Sequence, residues 1–191
     1  MTSRDLALPL AALALSVLLI IGGGYMTEHI ALYRAHATAW TSALLSIPAL
    51  ALFLARAGTR PLGQAWRLWW TLGWLLIFVH LWWGLGHLHS WDALSVFVRQ
   101  GLLIAAPIFF LEVVWLIDVI LAWTRRDWAE ARGWFLIWQW FAWLVTVANF
   151  FVSLVVFRND LPSLVIGMVM TAVLVAVLLQ RLARAEPGAA A

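Results

Sequence analysis

The chain has 191 residues, of which 65% are hydrophobic and 11% charged, with a mean hydropathy of +0.94. This is outside soluble-domain composition and leaves no polar stretch long enough to fold as a separate unit. The formal charge of +3 is carried by arginine alone and is spread too thinly for a nucleic-acid surface, and the absence of cysteine excludes disulfides, thiolate metal sites and cysteine nucleophiles.

Six apolar stretches each approach the roughly 20 residues that an α-helix needs to cross hydrocarbon. Backbone groups there must pair internally, so the expected fold is all-α: a polytopic transmembrane bundle forming one domain over 1–182, with a flexible tail at 183–191. The first span, 6–26, has the look of a signal peptide, yet it is long and lacks a convincing A-x-A cleavage site before Tyr25, so it is read as retained. If it were removed, five spans would remain. Gly22, Gly23 and Gly24 are expected to loosen its outer end. Glu28, His29 and His36 then lie in or beside a first outer loop.

The second span, 37–56, carries Thr38, Ser42 and Ser46 at four-residue spacing, and Pro48 is expected to bend it. Small residues on one face permit the close helix contact that must drive association in lipid. The third span, 66–88, contains His80, Trp83, Gly84 and His87, with His89 just beyond. The segment SWDALSVFVRQ, 90–100, is expected along the outer surface, because counting it as spanning makes the fourth helix too long.

The fourth span, 100–123, holds Pro107, Glu112 and Asp118. A carboxylate in an apolar span must be protonated, paired or beside water. Six residues separate the two, about 120° on the helical wheel, so they form no same-face dyad. Gln139, Thr146, Asn149 and Ser153 make a polar stripe on the fifth span, 134–157, which should turn into the bundle or toward a partner. In the sixth span, 161–181, Ser163, Gly167 and Thr171 repeat the small-residue spacing.

Arginine distribution sets the orientation. Arg4, Arg56, Arg60, Arg67, Arg125, Arg126, Arg132, Arg181 and Arg184 fall on one side and only Arg34, Arg99 and Arg158 on the other, so both termini are expected in the cytoplasm of a bacterial-type cell, with the chain in its inner membrane. The 15 tryptophans include many near the expected interfaces, among them Trp66, Trp69, Trp70, Trp82, Trp83, Trp91, Trp123, Trp128 and Trp134, as in an aromatic belt. Trp115, Trp138, Trp140 and Trp143 are expected deeper.

All 5 histidines gather toward the outer end. Seven-residue spacing puts His80 on nearly the face of His87, about 10 Å deeper. Three chemistries fit such a cluster. Imidazoles of His29, His36, His87 and His89, with Glu28 and Asp92 as further ligands or orienting groups, could bind Cu or Zn. His80 or His87 could be axial to a haem or pigment, with Trp83 and Gly84 shaping space for the macrocycle and His29 or His36 as the second histidine of a pair. His80, Glu112 and Asp118 could instead exchange protons near a quinone, since they sample successive depths. Lipid headgroups and backbone carbonyls would equally satisfy interfacial histidines.

No motif makes the chain an enzyme by itself. Ser90 beside His89 lacks the geometry of a nucleophile, base and orienting group, and there is no H-E-x-x-H. A small transporter or channel is one alternative, although the halves do not repeat and only the fifth span is continuously polar. A histidine-dependent metal enzyme is another. The leading expectation is an inner-membrane subunit of a larger assembly, in contact with lipid and other membrane subunits, that supports electron or proton transfer by positioning a partner, quinone or metalloporphyrin.

Overall fold

A computed structural model describes residues 3–157 and 160–185. These form an all-α bundle: α1 (Ser3–Gly24), α2 (Ile30–Arg56), α3 (Gln64–Leu81), α4 (Ala93–Gln100), α5 (Leu102–Thr124), α6 (Gly133–Phe151) and α7 (Leu161–Ala185). Six of them, all but α4, are long and apolar enough to cross a membrane. Helix α2 is the most buried and packs against α1, α3 and α7, whereas α1 is the most peripheral. Helix α3 bridges to α5, and α5 to α6.

Several boundaries differ from the sequence expectation, each for a local reason. Helix α2 begins at Ile30 and not at 37, because the run IALYRAH has no glycine or proline to stop it. This moves Arg34 and His36 from a loop onto a helix. The segment 90–100 is set off from the fourth span by Gly101, whose φ of +81° ends α4 and restarts the chain as α5. Asp92 accepts the Leu94 N–H and caps α4. The last helix continues through Ala185, so only 186–191 of the expected tail remain, and these lie outside the described residues, as does Arg158.

Both α3 and α6 pass at one end into wider π-helical turns, at Trp82–Leu88 and Val152–Val156. A π turn takes more residues per revolution than an α turn and so rotates everything beyond it. The expected alignment of His87 above His80 is lost for this reason.

The tryptophans are also placed differently from a simple belt. Trp82, Trp91, Trp123 and Trp134 are exposed, but Trp66 and Trp70 are each only 2% exposed, and Trp69 and Trp128 are buried with them. Trp66 stacks between Trp70 and Trp128 at 5.9 Å on either side. At one end of the bundle, indoles are therefore core packing.

Close approach of α2 and α3 fixes the rest. Ser42 Oγ donates to the Gly73 carbonyl at 2.7 Å, and a Cβ at Gly73 would lie 3.0 Å from the Trp115 ring and 3.1 Å from Ser46 Cβ. Small residues at Ser42, Ser46 and Gly73 thus let the two backbones meet with a hydrogen bond between them. On α7, a Cβ at Gly167 would come within 2.6 Å of Val155 in the second π turn, while Thr171 bonds within its own helix to Gly167 O. Gly73→Val is expected to lower stability by about 1–3 kcal/mol through overpacking. Gly84→Ala, where a Cβ meets nothing within 4 Å, should leave the thermal unfolding midpoint in detergent unchanged. Equal midpoints for the two variants would show that α2 and α3 are not held at this distance.

Candidate functional site

His36, Trp40, His80, Asn149, Ser153 and Ser163 line a cavity of about 130 Å³ between α2, α3, α5, α6 and α7. It lies at the histidine end of the bundle, beside both π turns. The wide turn at Val152–Val156 places Ser153 in its wall. Trp40 Nε1 donates to Ser163 Oγ at 2.9 Å, and that hydroxyl donates to Asp160 Oδ2 at 3.0 Å. Asp160 Oδ1 also accepts the Ser163 N–H and so caps α7. Asn149 Nδ2 donates to the Pro107 carbonyl at 2.8 Å.

His80 Nδ1 lies 2.7 Å from the Ala35 carbonyl. A carbonyl only accepts, so Nδ1 bears the hydrogen, and in the neutral ring Nε2 carries the lone pair. One histidine tautomer is thereby selected by the backbone of a neighbouring helix.

The other sequence candidates are dispersed. His87 is exposed and stacks on Trp83 at 4.4 Å. Trp83 itself faces a groove of about 530 Å³ between α1, α2 and α3, where Arg34 lies over its ring at 5.1 Å. His80, Trp83, Gly84 and His87 therefore do not form one constellation, because the phase change after Leu81 sends them to different sides. Glu28 and His29 are exposed on the loop between α1 and α2. Ser95 Oγ donates to the Asp92 carbonyl, so it accepts from His89 Nδ1 at 2.9 Å. Among the described residues no three histidine or carboxylate side chains come together as a metal site, and His29, His36, His87, His89 and Glu28 do not converge. Two histidines on separate helices, His36 and His80, do share the cavity. Its 130 Å³ holds about four waters at some 30 Å³ each. It is well below the ~300 Å³ at which pockets for larger organic ligands begin, so a macrocycle does not fit between these two rings as they stand.

Deeper in the bundle lie the two carboxyls. Asp118 is 2% exposed, and its Oδ2 accepts from Trp70 Nε1 at 2.9 Å. The Trp138 indole approaches the same carboxyl from α6 but makes no hydrogen bond to it. Glu112 is 7% exposed, and its Oε1 is buried without a partner. Neither polar neighbour on α6 reaches it: Asn149 is committed to Pro107 O, and Gln139 Nε2 points to Trp128 O at 3.5 Å. Thr146 bonds within its own helix to Ala142 O.

Cross-helix contacts give the depth of each group. Trp70 meets Asp118, Gly73 meets Trp115, and Ile77 and His80 share the cavity with Leu111 and Ile108. In this register Glu112 is level with Leu76, about 6 Å below His80, and Asp118 is about 9 Å further on, at 1.5 Å per residue. Side chains on a helix lean toward its N-terminus, so Glu112 leans toward the turn containing Ile108, in the cavity wall. Glu112 does not itself line the cavity.

Comparison with family models, with curated proteins and with solved structures finds no match for this chain.

Trp70→Phe keeps a ring but deletes the donor to Asp118, and it is expected to cost about 1–3 kcal/mol by leaving a buried acceptor unpaired. Trp74→Phe is the matched control, because the Trp74 N–H has no hydrogen-bond partner among the described residues. Unfolding of both variants measured side by side should separate them, and equal losses would assign the effect to ring size alone.

Proposed function

We propose that this chain is a multi-pass integral membrane subunit of a larger electron- or proton-transfer assembly, and that it moves protons through its own bundle. The observation that carries the proposal is the placement of two buried carboxyls, Glu112 and Asp118, at successive depths beneath a cavity bearing His36 and His80. An unpartnered carboxylate in an apolar span is costly unless it binds a proton or reaches water, and such groups mark proton relays in membranes. His36 and His80 put two imidazoles in the cavity wall, and imidazole is the side chain that exchanges protons nearest neutrality. Protons would exchange between the cavity and Glu112, and between Glu112 and Asp118, with mobile water bridging the gaps.

The arginine distribution supports both termini lying in the cytoplasm, so the cavity would open outward and the arginine end inward, in a bacterial-type inner membrane. Lipid and neighbouring subunits would cover the apolar outer faces, and nothing in the charge pattern calls for nucleic acid.

The test is proton flux into liposomes containing the purified particle, read by a trapped pH-sensitive dye under a potassium diffusion potential. Glu112→Gln is expected to reduce flux about tenfold or more, within the range for loss of a positioned proton-transfer group. Asp118→Asn and His80→Gln should act in the same direction, with unfolding midpoints retained for Glu112→Gln. Wild-type flux no greater than that of protein-free liposomes, or unchanged flux in Glu112→Gln, would defeat the reading.

A further inference from the structure

At the arginine end, a cavity of about 570 Å³ lies between the connection following α2 and the connection leading into α6. Its walls are tied together. Leu62 N–H donates to Ala129 O at 2.8 Å across the two connections, and the Arg181 guanidinium donates to the carbonyls of Leu54 and Ala57, anchoring the end of α2.

Three independent features point into this space. Arg60 and Arg132 line it, and among the described residues neither makes an ion pair. The N-terminus of α6 opens on it, and its N-cap residue, Arg132, supplies no side-chain acceptor, so the first N–H groups are available to an anion. Gln139, only 2% exposed, also lines it. The contact of Gln139 Nε2 with Trp128 O orients the amide so that Oε1 is the atom left buried without a donor. Glu130 completes the wall. Two cations and a helix N-terminus call for an anionic group, while a buried amide oxygen and a carboxylate in the same wall call for a hydrogen-bond donor of positive charge.

We infer that this cavity binds an ethanolamine-phosphate group, with its phosphate on Arg60, Arg132 and the α6 N-terminus and its ammonium toward Gln139 Oε1 and Glu130. The group occurs free in solution and as a phospholipid headgroup, and a cavity of this size accepts either. The inference stands apart from the proton-transfer reading, because it uses none of His80, Glu112 or Asp118.

The test uses the purified particle in two arms, one titrated with free phosphoethanolamine and one placed in nanodiscs containing phosphatidylethanolamine. Phosphocholine and phosphatidylcholine serve as matched probes, since their quaternary nitrogen has no N–H. Binding is read by thermal shift and by native mass spectrometry. Ethanolamine forms are expected to bind more tightly than choline forms in at least one arm, and the responding arm identifies the source. The Arg60→Gln/Arg132→Gln double variant should lose about tenfold or more in affinity, as expected for charge-assisted hydrogen bonds. Gln139→Leu should lose the preference for ethanolamine over choline. Absence of binding in both arms, equal binding by the double arginine variant, or no preference for ethanolamine would each overturn the inference. Both arginines are at the surface, so the double variant remains informative if Gln139→Leu does not fold.

Discussion

The contact between Ser42 Oγ and the Gly73 carbonyl is the constraint on which the arrangement of this bundle depends. Without a hydrophobic drive between helices in lipid, backbones are drawn together by close packing and by hydrogen bonds that have no competing water. Small residues on both sides set the distance between α2 and α3, and the 2.7 Å bond sets their relative rotation. Once that rotation is fixed, the α3 stripe made by Trp70, Gly73, Ile77 and His80 can face only one way. Its three- and four-residue steps keep all four residues on one face. One end of the stripe holds Asp118 through the Trp70 indole, and the other enters the cavity with His80 hydrogen-bonded to Ala35. A shift of α3 by a single residue would turn every one of these groups about 100° away.

The polar groups of the interior divide into those that are paired and those that are not. Hydroxyls of Thr38, Ser46, Thr146 and Thr171 return to carbonyls of their own helices and need no partner across the bundle. Such bonds cost little and leave the faces of those helices free to pack. Among the described residues, the indole N–H groups of Trp66, Trp74, Trp115 and Trp138 and Nε of Arg34 and Arg67 are buried without a partner, and on the acceptor side so are Glu112 Oε1, one oxygen of Asp118 and Gln139 Oε1. Unsatisfied buried acceptors are rare because each forfeits its hydration, so a set of them inside one small bundle calls for a physical explanation. For the two carboxyls, exchangeable protons provide one. For Gln139, which opens onto the other end of the molecule, a donor arriving from outside provides another.

The helices were legible in the sequence because a run of apolar residues long enough to span hydrocarbon has few alternatives to a helix. Glu112 and Asp118 were legible for the same reason, as carboxyls within otherwise apolar stretches. Pairings across the bundle were less accessible. His36 read as a loop residue because the second apolar stretch was counted only from 37, although Ile30 to His36 contains nothing that ends a helix. The seven-residue spacing of His80 and His87 implied a shared face only on the assumption of unbroken α geometry. No signal in WWGLGHL marks the π turns that part them. Trp66, Trp70 and Trp128 were ambiguous for a further reason. An indole has an apolar body and one N–H, so lipid interfaces and helix cores both accept it, and only the neighbours decide. The union of Trp70 with Asp118 joins residues 48 apart, and no periodicity within either helix reports it.

The two ends of the bundle are built on different physics, and this bears on how they could be coupled. At the histidine end the wall includes the wide π turn at Val152–Val156 and hydroxyls, features that leave carbonyls and side chains able to exchange partners. At the arginine end the indole stack, the bond from Leu62 to Ala129 and the anchoring of α2 by Arg181 make a stiffer frame. Helix α6 runs between them. Near its arginine end, the Trp138 indole approaches the Asp118 carboxyl without bonding to it, while the adjacent Gln139 lines the larger cavity. These neighbours differ by about 100° in direction on the helix, so one short segment touches both a candidate proton group and a candidate ligand site without joining them. A ligand drawing on the Gln139 amide would bear on the α6 backbone one residue from the indole beside Asp118. The coupling would be mechanical, through a single helical turn held on one side by the Trp128 carbonyl, and it requires no charge to pass between the two sites.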